Sequence, residues 1–161
     1  MSESIHEHFM REALKQAKIA LERSEIPVGA VVVYKNRIVA RAYNQMETLR
    51  DPTAHAEMIA MTQASETISS GQKDHRGSLE GATLYVTLEP CPMCAGALVL
   101  TKCTHLIYGA TDSKAGACHS LYHITEDDRL NHRVNVVGGL MENESRLLLQ
   151  EFFKNLRKDK R

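Results

Sequence analysis

One pairing constrains this chain more than any other feature. His55 and Glu57 stand in Thr53-Ala54-His55-Ala56-Glu57, and Cys91 and Cys94 stand in Pro90-Cys91-Pro92-Met93-Cys94. An imidazole, two thiols and a carboxylate make a metal-ligand set with an acid/base beside it. Cys91 and Cys94 are three positions apart, so a helix puts both on one face. Pro92 suits the first turn of that helix, where its missing N–H would be unpaired anyway. The thiols then sit near a helix N-terminus, whose partial positive charge favours thiolate, the metal-binding form. His55 and Glu57 open a second helical stretch, Ala54 to Ala64, after the turn-forming Asp51-Pro52. Two helix starts are thus expected to converge on one cation.

The number of ligands separates kinds of site. A structural zinc takes four protein ligands, whereas a catalytic zinc keeps one position open for water. Here the motif offers three: His55, Cys91 and Cys94. The fourth group, Glu57, lies two residues from a ligand. Zinc lowers the pKa of water at its open position to about 7, and a neighbouring carboxylate can take that proton and pass it to a leaving group.

Length and composition bound the rest. At 161 residues, 43% of them apolar and 25% charged, the chain is expected to form one domain, residues 1–161, with a good core. The polar stretch Met1 to Met10 reads as no targeting signal. No apolar run approaches the ~18 residues of a membrane span, so a cytoplasmic protein without membrane contact is expected. With Cys91 and Cys94 taken by the metal motif, a reducing compartment fits better than a disulfide framework. Cys103 and Cys118 read as buried small residues. A net charge of zero argues against sequence-blind nucleic-acid binding along the whole surface. It leaves room for a local patch: Lys154, Arg157, Lys158, Lys160 and Arg161 are interrupted by a single acid, Asp159. That run is either a solvated tail or a nucleic-acid contact.

Hydrophobic periodicity orders the elements. Phe9, Ala13, Ala17 and Leu21 predict a helix over 4–22. Val31-Val32-Val33 predicts a strand, Lys35-Asn36 a turn, and Arg37 to Ala42 a second strand. A polar loop is expected from Asn44 to Pro52, then the helix carrying His55 and Glu57. Residues 65–81, rich in Ser and Gly, read as an exposed connection, in which His75 is a weak ligand candidate. A third strand, Ala82 to Leu88, leads into the cysteine turn and an apolar helix from Ala95 to Thr101. A fourth strand, His105 to Tyr108, follows, and this order implies a parallel, right-handed crossover. After a Gly/Ala-rich loop over 109–120, residues 121–131 read as a short helix or turns. A fifth strand, Val134 to Val137, precedes a last helix that starts near Met141, with Leu148, Phe152 and Leu156 in one line. The fold expected is α/β: three α/β/α layers around a five-stranded mixed sheet.

The sequence resembles the cytidine deaminase superfamily. Within it, the chain is similar to the bacterial tRNA-specific adenosine deaminases. His-Ala-Glu with Pro-Cys-x-x-Cys is the zinc nucleobase-deaminase pattern. Further matching stretches are Ile26 to Ala30, Asn44, Asp51 to Glu57, Leu84 to Gly96, Gly109 to Gly116, Asn131 to Val134 and Phe152-Phe153. Together they span nearly the whole chain. The resemblance implies a cytidine-deaminase-like fold in which His55, Cys91 and Cys94 hold Zn2+ and Glu57 shuttles the proton. It implies that Asn44 and the backbone of Ala56 hold the base edge while Val28 packs on it. Asp112, Asn131, Phe153 and Arg157 would contact flanking nucleotides of a tRNA anticodon arm, and the enzyme would be a homodimer. The reaction implied converts the wobble adenosine to inosine, with release of ammonia. Asn44 also suits a plain turn. The sequence departs from many relatives at Cys118-His119 and in the length of 65–81.

Two other readings use the same residues. A deaminase of free guanine, cytosine or cytidine would share the metal set. A non-catalytic zinc-stabilised module would need a fourth ligand, and no other Cys or His stands at finger-like spacing.

Overall fold

The computed structural model describes residues 3–160. Helix α1 (Ile5–Glu22) starts where the Ser4 hydroxyl accepts the Glu7 N–H at 3.1 Å, which pairs one of the donors a helix start leaves open. Its inner face is narrow, with Ala13, Ala17 and Ala20 wholly buried. Gly29 opens β1 (Gly29–Tyr34) directly against that face. A Cβ there would collide with the Ala13 carbonyl and the Ala17 amide, so helix and strand meet backbone to backbone. The chain turns through Lys35 and Asn36, both in the left-handed region, into β2 (Arg37–Tyr43). The remaining elements are α2 (Met46–Leu49), α3 (Ala56–Ser69), β3 (Thr83–Leu88), α4 (Pro92–Leu100), β4 (His105–Ala110), a 3-10 turn (Ile124–Glu126), β5 (Asn135–Val137) and α5 (Glu142–Asp159).

The strands form one mixed sheet in the order β2-β1-β3-β4-β5. β1 is antiparallel to β2 and β3, whereas β3–β4 and β4–β5 are parallel. The expected five strands and the parallel β3-α4-β4 connection are both present. Side chains alternate between two apolar layers, as the pleat requires. Val31, Val33, Tyr85 and Ile107 pack with Phe9, Met10 and Leu14 of α1, and Leu148 of α5 joins them. Ala30, Val32, Leu84, Val86 and Leu106 face α3 and α4 through Ala60, Ala64, Ala95 and Leu98. The three layers are therefore helices, sheet and helices. Sheet ends and helix starts meet where α/β folds place their sites.

Three expectations need correction. Helix α3 runs to Ser69, five residues past Ala64. Ala64 and Ile68 continue its buried stripe, while the Ser65 hydroxyl donates to the Gly77 carbonyl at 2.8 Å. The connection after it is not all exposed, since Leu79 is completely buried. The polar loop after Asn44 contains α2, because a buried acid, Glu25, accepts the N–H groups of Glu47 and Thr48 at 2.9 and 2.7 Å. Helix α5 has one buried residue, Ser145, and its Leu147, Phe153 and Leu156 face outward.

Candidate active site

Local chain geometry sets each candidate ligand. Asp51 Oδ1 accepts the Thr53 N–H at 2.8 Å, and the Asp51 carbonyl accepts the Ala54 N–H at 3.0 Å. This turn delivers His55 as the N-cap of α3, with extended backbone (φ −74°, ψ 148°). Cys91 is the N-cap of α4 in similar geometry (φ −74°, ψ 173°), with Pro92 at the first helical position. One turn on, Cys94 is fully buried. Two helix N-termini therefore point at one spot, as their spacing implies.

His55 Nδ1 lies 3.5 Å from Cys91 Sγ and 3.5 Å from Cys94 Sγ. For a tetrahedral ion with Zn–S of about 2.3 Å and Zn–N of about 2.0 Å, the nitrogen and sulfur should stand about 3.5 Å apart. The donor types and spacing fit zinc. Among the described residues this is the single such cluster, and it holds three residues. Cys103 is a buried thiol donating toward the His105 carbonyl at 3.4 Å, and Cys118 is equally buried. His75 Nδ1 accepts the Gly77 N–H at 3.0 Å in a turn. None of these joins the cluster.

Electrostatics polarise the group. The hydrogen bond from the Cys94 thiol holds Cys91 at about 4 against the opposing effect of burial, with help from His55. Cys94 is pushed the other way by that same bond, by burial and by the Glu57 charge. His55 is raised, chiefly by its bond to Cys91. The pattern favours the thiolate form at Cys91, the form that binds metal. Glu57, in the first turn of α3 and 4% exposed, is raised by burial. A carboxyl that holds its proton more readily than usual suits a group that must both take and return one.

His55, Glu57 and Cys91 line a cavity of about 220 Å³ together with Ile26, Val28, Asn44, Met46, Ala56, Leu88, Glu89, Asp112 and Ala115. Asn44 Nδ2 donates to the Ile26 carbonyl at 3.3 Å, which leaves Oδ1 buried with no partner. A buried acceptor without a donor is costly, and Asn44 is part of the cavity lining. Ala56 is the first residue of α3, where backbone N–H groups lack helical acceptors. Val28 is the apolar wall. Phe153 and Arg157 line a different groove, of about 470 Å³, with Lys114, Arg146, Leu149 and Lys160. Asn131 stands apart from both, exposed before β5. Sequence reasoning missed Met46, Glu89, Lys114 and Arg146. An acid at the end of an apolar strand was the one available signal for Glu89. Arg146 had none, since a surface arginine on a helix is ordinary.

Comparison with known proteins agrees with the geometry. The family model for the cytidine and deoxycytidylate deaminase zinc-binding region matches residues 3–110. The chain belongs to this family of zinc-binding deaminases. It is 45% identical over 155 residues to the tRNA-specific adenosine deaminase of Bacillus subtilis, covering 96% of this chain and 92% of that one. Among solved structures it resembles one from work on A-to-I editing by tRNA:A34 deaminases at the wobble position of transfer RNA. That match has a TM-score of 0.80 and 44% identity, over 88% of this chain and 99% of the other. It also resembles the guanine deaminase of Bacillus subtilis, with TM-score 0.58 and 34% identity over 66% and 64% of the two chains.

Proposed function

We propose that residues 1–161 act as one deaminase domain that converts the wobble adenosine of a tRNA anticodon to inosine, with release of ammonia. The observation that carries this reading is the combined pocket: His55 and Cys91 of the three-residue cluster line one cavity with buried Glu57 and with Asn44, whose Oδ1 has no partner, and Cys94 completes the cluster behind them. At about 220 Å³ the cavity is below the roughly 300–1,000 Å³ of drug-sized sites. It suits a single base, flipped out of its stack, better than a whole nucleotide.

His55, Cys91 and Cys94 would hold Zn2+. When bound, zinc supplies Lewis-acid activation of water near neutral pH. Asn44 Oδ1 accepts from a donor on the substrate, the Ala56 N–H donates to an acceptor on the base, and Val28 packs on the ring face. Glu57 takes a proton from the attacking water and hands it to the ring nitrogen. It then moves a second proton to the departing amine, so the C6–N bond breaks, the C6 carbonyl forms and ammonia leaves. Burial of Glu57 keeps bulk water from competing for these protons.

Support for an RNA substrate over a free base comes from the high identity to tRNA-specific relatives over nearly the full chain. The basic groove of Lys114, Arg146, Arg157 and Lys160 suits phosphates, with Phe153 available to stack on a splayed base. Asp112, at the pocket, and Asn131, outside it, are further candidates for contacts to flanking nucleotides. The reading also includes a homodimer, to which the exposed apolar Leu100, Leu121 and Tyr122 would contribute, and a cytoplasmic location, in keeping with free thiols. Among the described residues no helix is long and apolar enough to cross a membrane.

The test is an assay of purified protein on an anticodon stem-loop, free adenosine, guanine, cytosine and cytidine. Inosine formed at the wobble position, with slow turnover of free bases, is expected. Turnover of guanine without action on the stem-loop would move the chain to the guanine-deaminase reading, which the second solved neighbour makes specific. Sedimentation at micromolar concentration should return twice the chain mass.

A further inference from the structure

Glu89 has no part in the mechanism above, yet its buried side chain gathers five hydrogen bonds from one segment. Oε2 accepts the N–H groups of Cys118, His119 and Ser120 at 3.2, 2.9 and 2.9 Å, and Oε1 accepts the Asp112 N–H at 3.1 Å and the Ser120 hydroxyl. The segment closes on itself around this anchor. Asp112 Oδ1 accepts the N–H groups of Lys114 and Ala115 at 3.0 and 3.2 Å, and the Asp112 carbonyl accepts the Gly116 N–H at 2.8 Å. Gly116 lies so close that a Cβ there would collide with the Glu89 carboxyl. The tethered segment supplies Asp112 and Ala115 to the base pocket and Lys114 to the basic groove. Glu89 itself lies two residues before Cys91, so one corner of chain carries both a thiol of the metal cluster and the anchor of this wall.

We propose that Glu89 is a positioning residue that fixes Asp112 at the pocket mouth and thereby sets how the nucleotide beside the reactive base is bound. This rests on the RNA-deaminase reading. A carboxylate is the side chain that meets the demand, because all five partners are donors and each of its oxygens accepts several. Glutamine keeps the shape but offers one acceptor oxygen. That oxygen best serves the three N–H groups at the Oε2 position, which turns the amide NH2 toward Ser120 and Asp112. The serine hydroxyl can rotate to accept, whereas the Asp112 N–H cannot. Glu89→Gln should therefore release Asp112 while leaving residues 118–120 in place.

The experiment uses the zinc-loaded full chain in five forms: wild type, Glu89→Gln, Asp112→Ala, the double variant, and Gly116→Ala, which pushes the segment off Glu89 from the other side. Steady-state kinetics on an anticodon stem-loop and amide hydrogen exchange are read together. Glu89→Gln should raise KM about ten-fold, the weight of one hydrogen bond to a charged group, with kcat within about two-fold and zinc content unchanged. Gly116→Ala should do the same, and the double variant should be no worse than Asp112→Ala, because both lesions act through one contact. Exchange should quicken at 112–116 and stay slow at 118–120. A fall in kcat with KM unchanged, additive effects in the double variant, zinc loss in Glu89→Gln, or unaltered exchange at Asp112 would each overturn the proposal. A wild-type protein inactive on the stem-loop would overturn the tRNA reading instead, and the exchange profile would still decide whether Glu89 holds Asp112.

Discussion

At the residue scale, Glu57 and Cys91 occupy one pocket and should fail in opposite ways. Glu57 is outside the three-residue ligand cluster, so Glu57→Gln should keep zinc and fold while activity falls about 10²–10⁴-fold, the usual weight of a positioned acid/base. Single-turnover assays with metal analysis on the same sample check this. Cys91→Ala leaves two protein ligands and should lose most of its zinc by the same analysis. These residues were legible in the sequence because their geometry is local: a cap, a first turn, and two thiols on one face of a helix. Glu89 was not, since its partners stand 23 to 31 residues away. Asn44 was legible as a candidate, but its empty Oδ1 emerges only from the packing around it.

At the scale of elements, α2 depends on a carboxylate rather than on its own sequence. Glu25 is fully buried. Its pKa falls below the usual 4.5 because the Thr48 hydroxyl and the N–H groups of Glu47 and Thr48 outweigh the cost of burial. A depressed carboxyl stabilises the fold above its unfolded value and loses that contribution as pH falls through the folded one. The Tm gap between wild type and Glu25→Gln should thus be widest near neutrality and close as pH drops below 4.5. Helix α5 gives a second expectation. Arg157 and Lys160 line the basic groove, whereas Lys154 and Lys158 do not, and Arg161 lies outside the described residues. Replacing Arg157 and Lys160 with alanine should weaken stem-loop binding and flatten the slope of log Kd against log salt by about 1 to 2. Replacing Lys154 and Lys158 should change it little. Charge counting marked the whole tail; the helical phase picks the side that faces the groove.

At the scale of the whole molecule, zinc would tie α3 to α4, two helices packed on one face of the sheet. A ligand that binds the folded chain alone stabilises it by mass action. Chelation should therefore lower Tm, and added zinc should restore it, as read by thermal unfolding before and after dialysis. The amino-acid sequence by itself determined the order of the five strands and pointed to the three residues that the fold gathers as a possible metal cluster, with Glu57 beside them as the proposed acid/base, since those follow from periodicity and from spacings within a turn of helix. It left open how far α3 runs, because the buried side of Ile68 depends on what packs there, and it missed α2 altogether. Tertiary structure decided the rest. The sheet order brings β3 beside β4, so the segment following β4 closes around Glu89 at the end of β3. The packing of α5 on the sheet through Leu148 turns Phe153 and Leu156 outward to the groove. Contacts between residues distant along the chain cost loop entropy and are chosen by the packing of the whole, which no local pattern encodes.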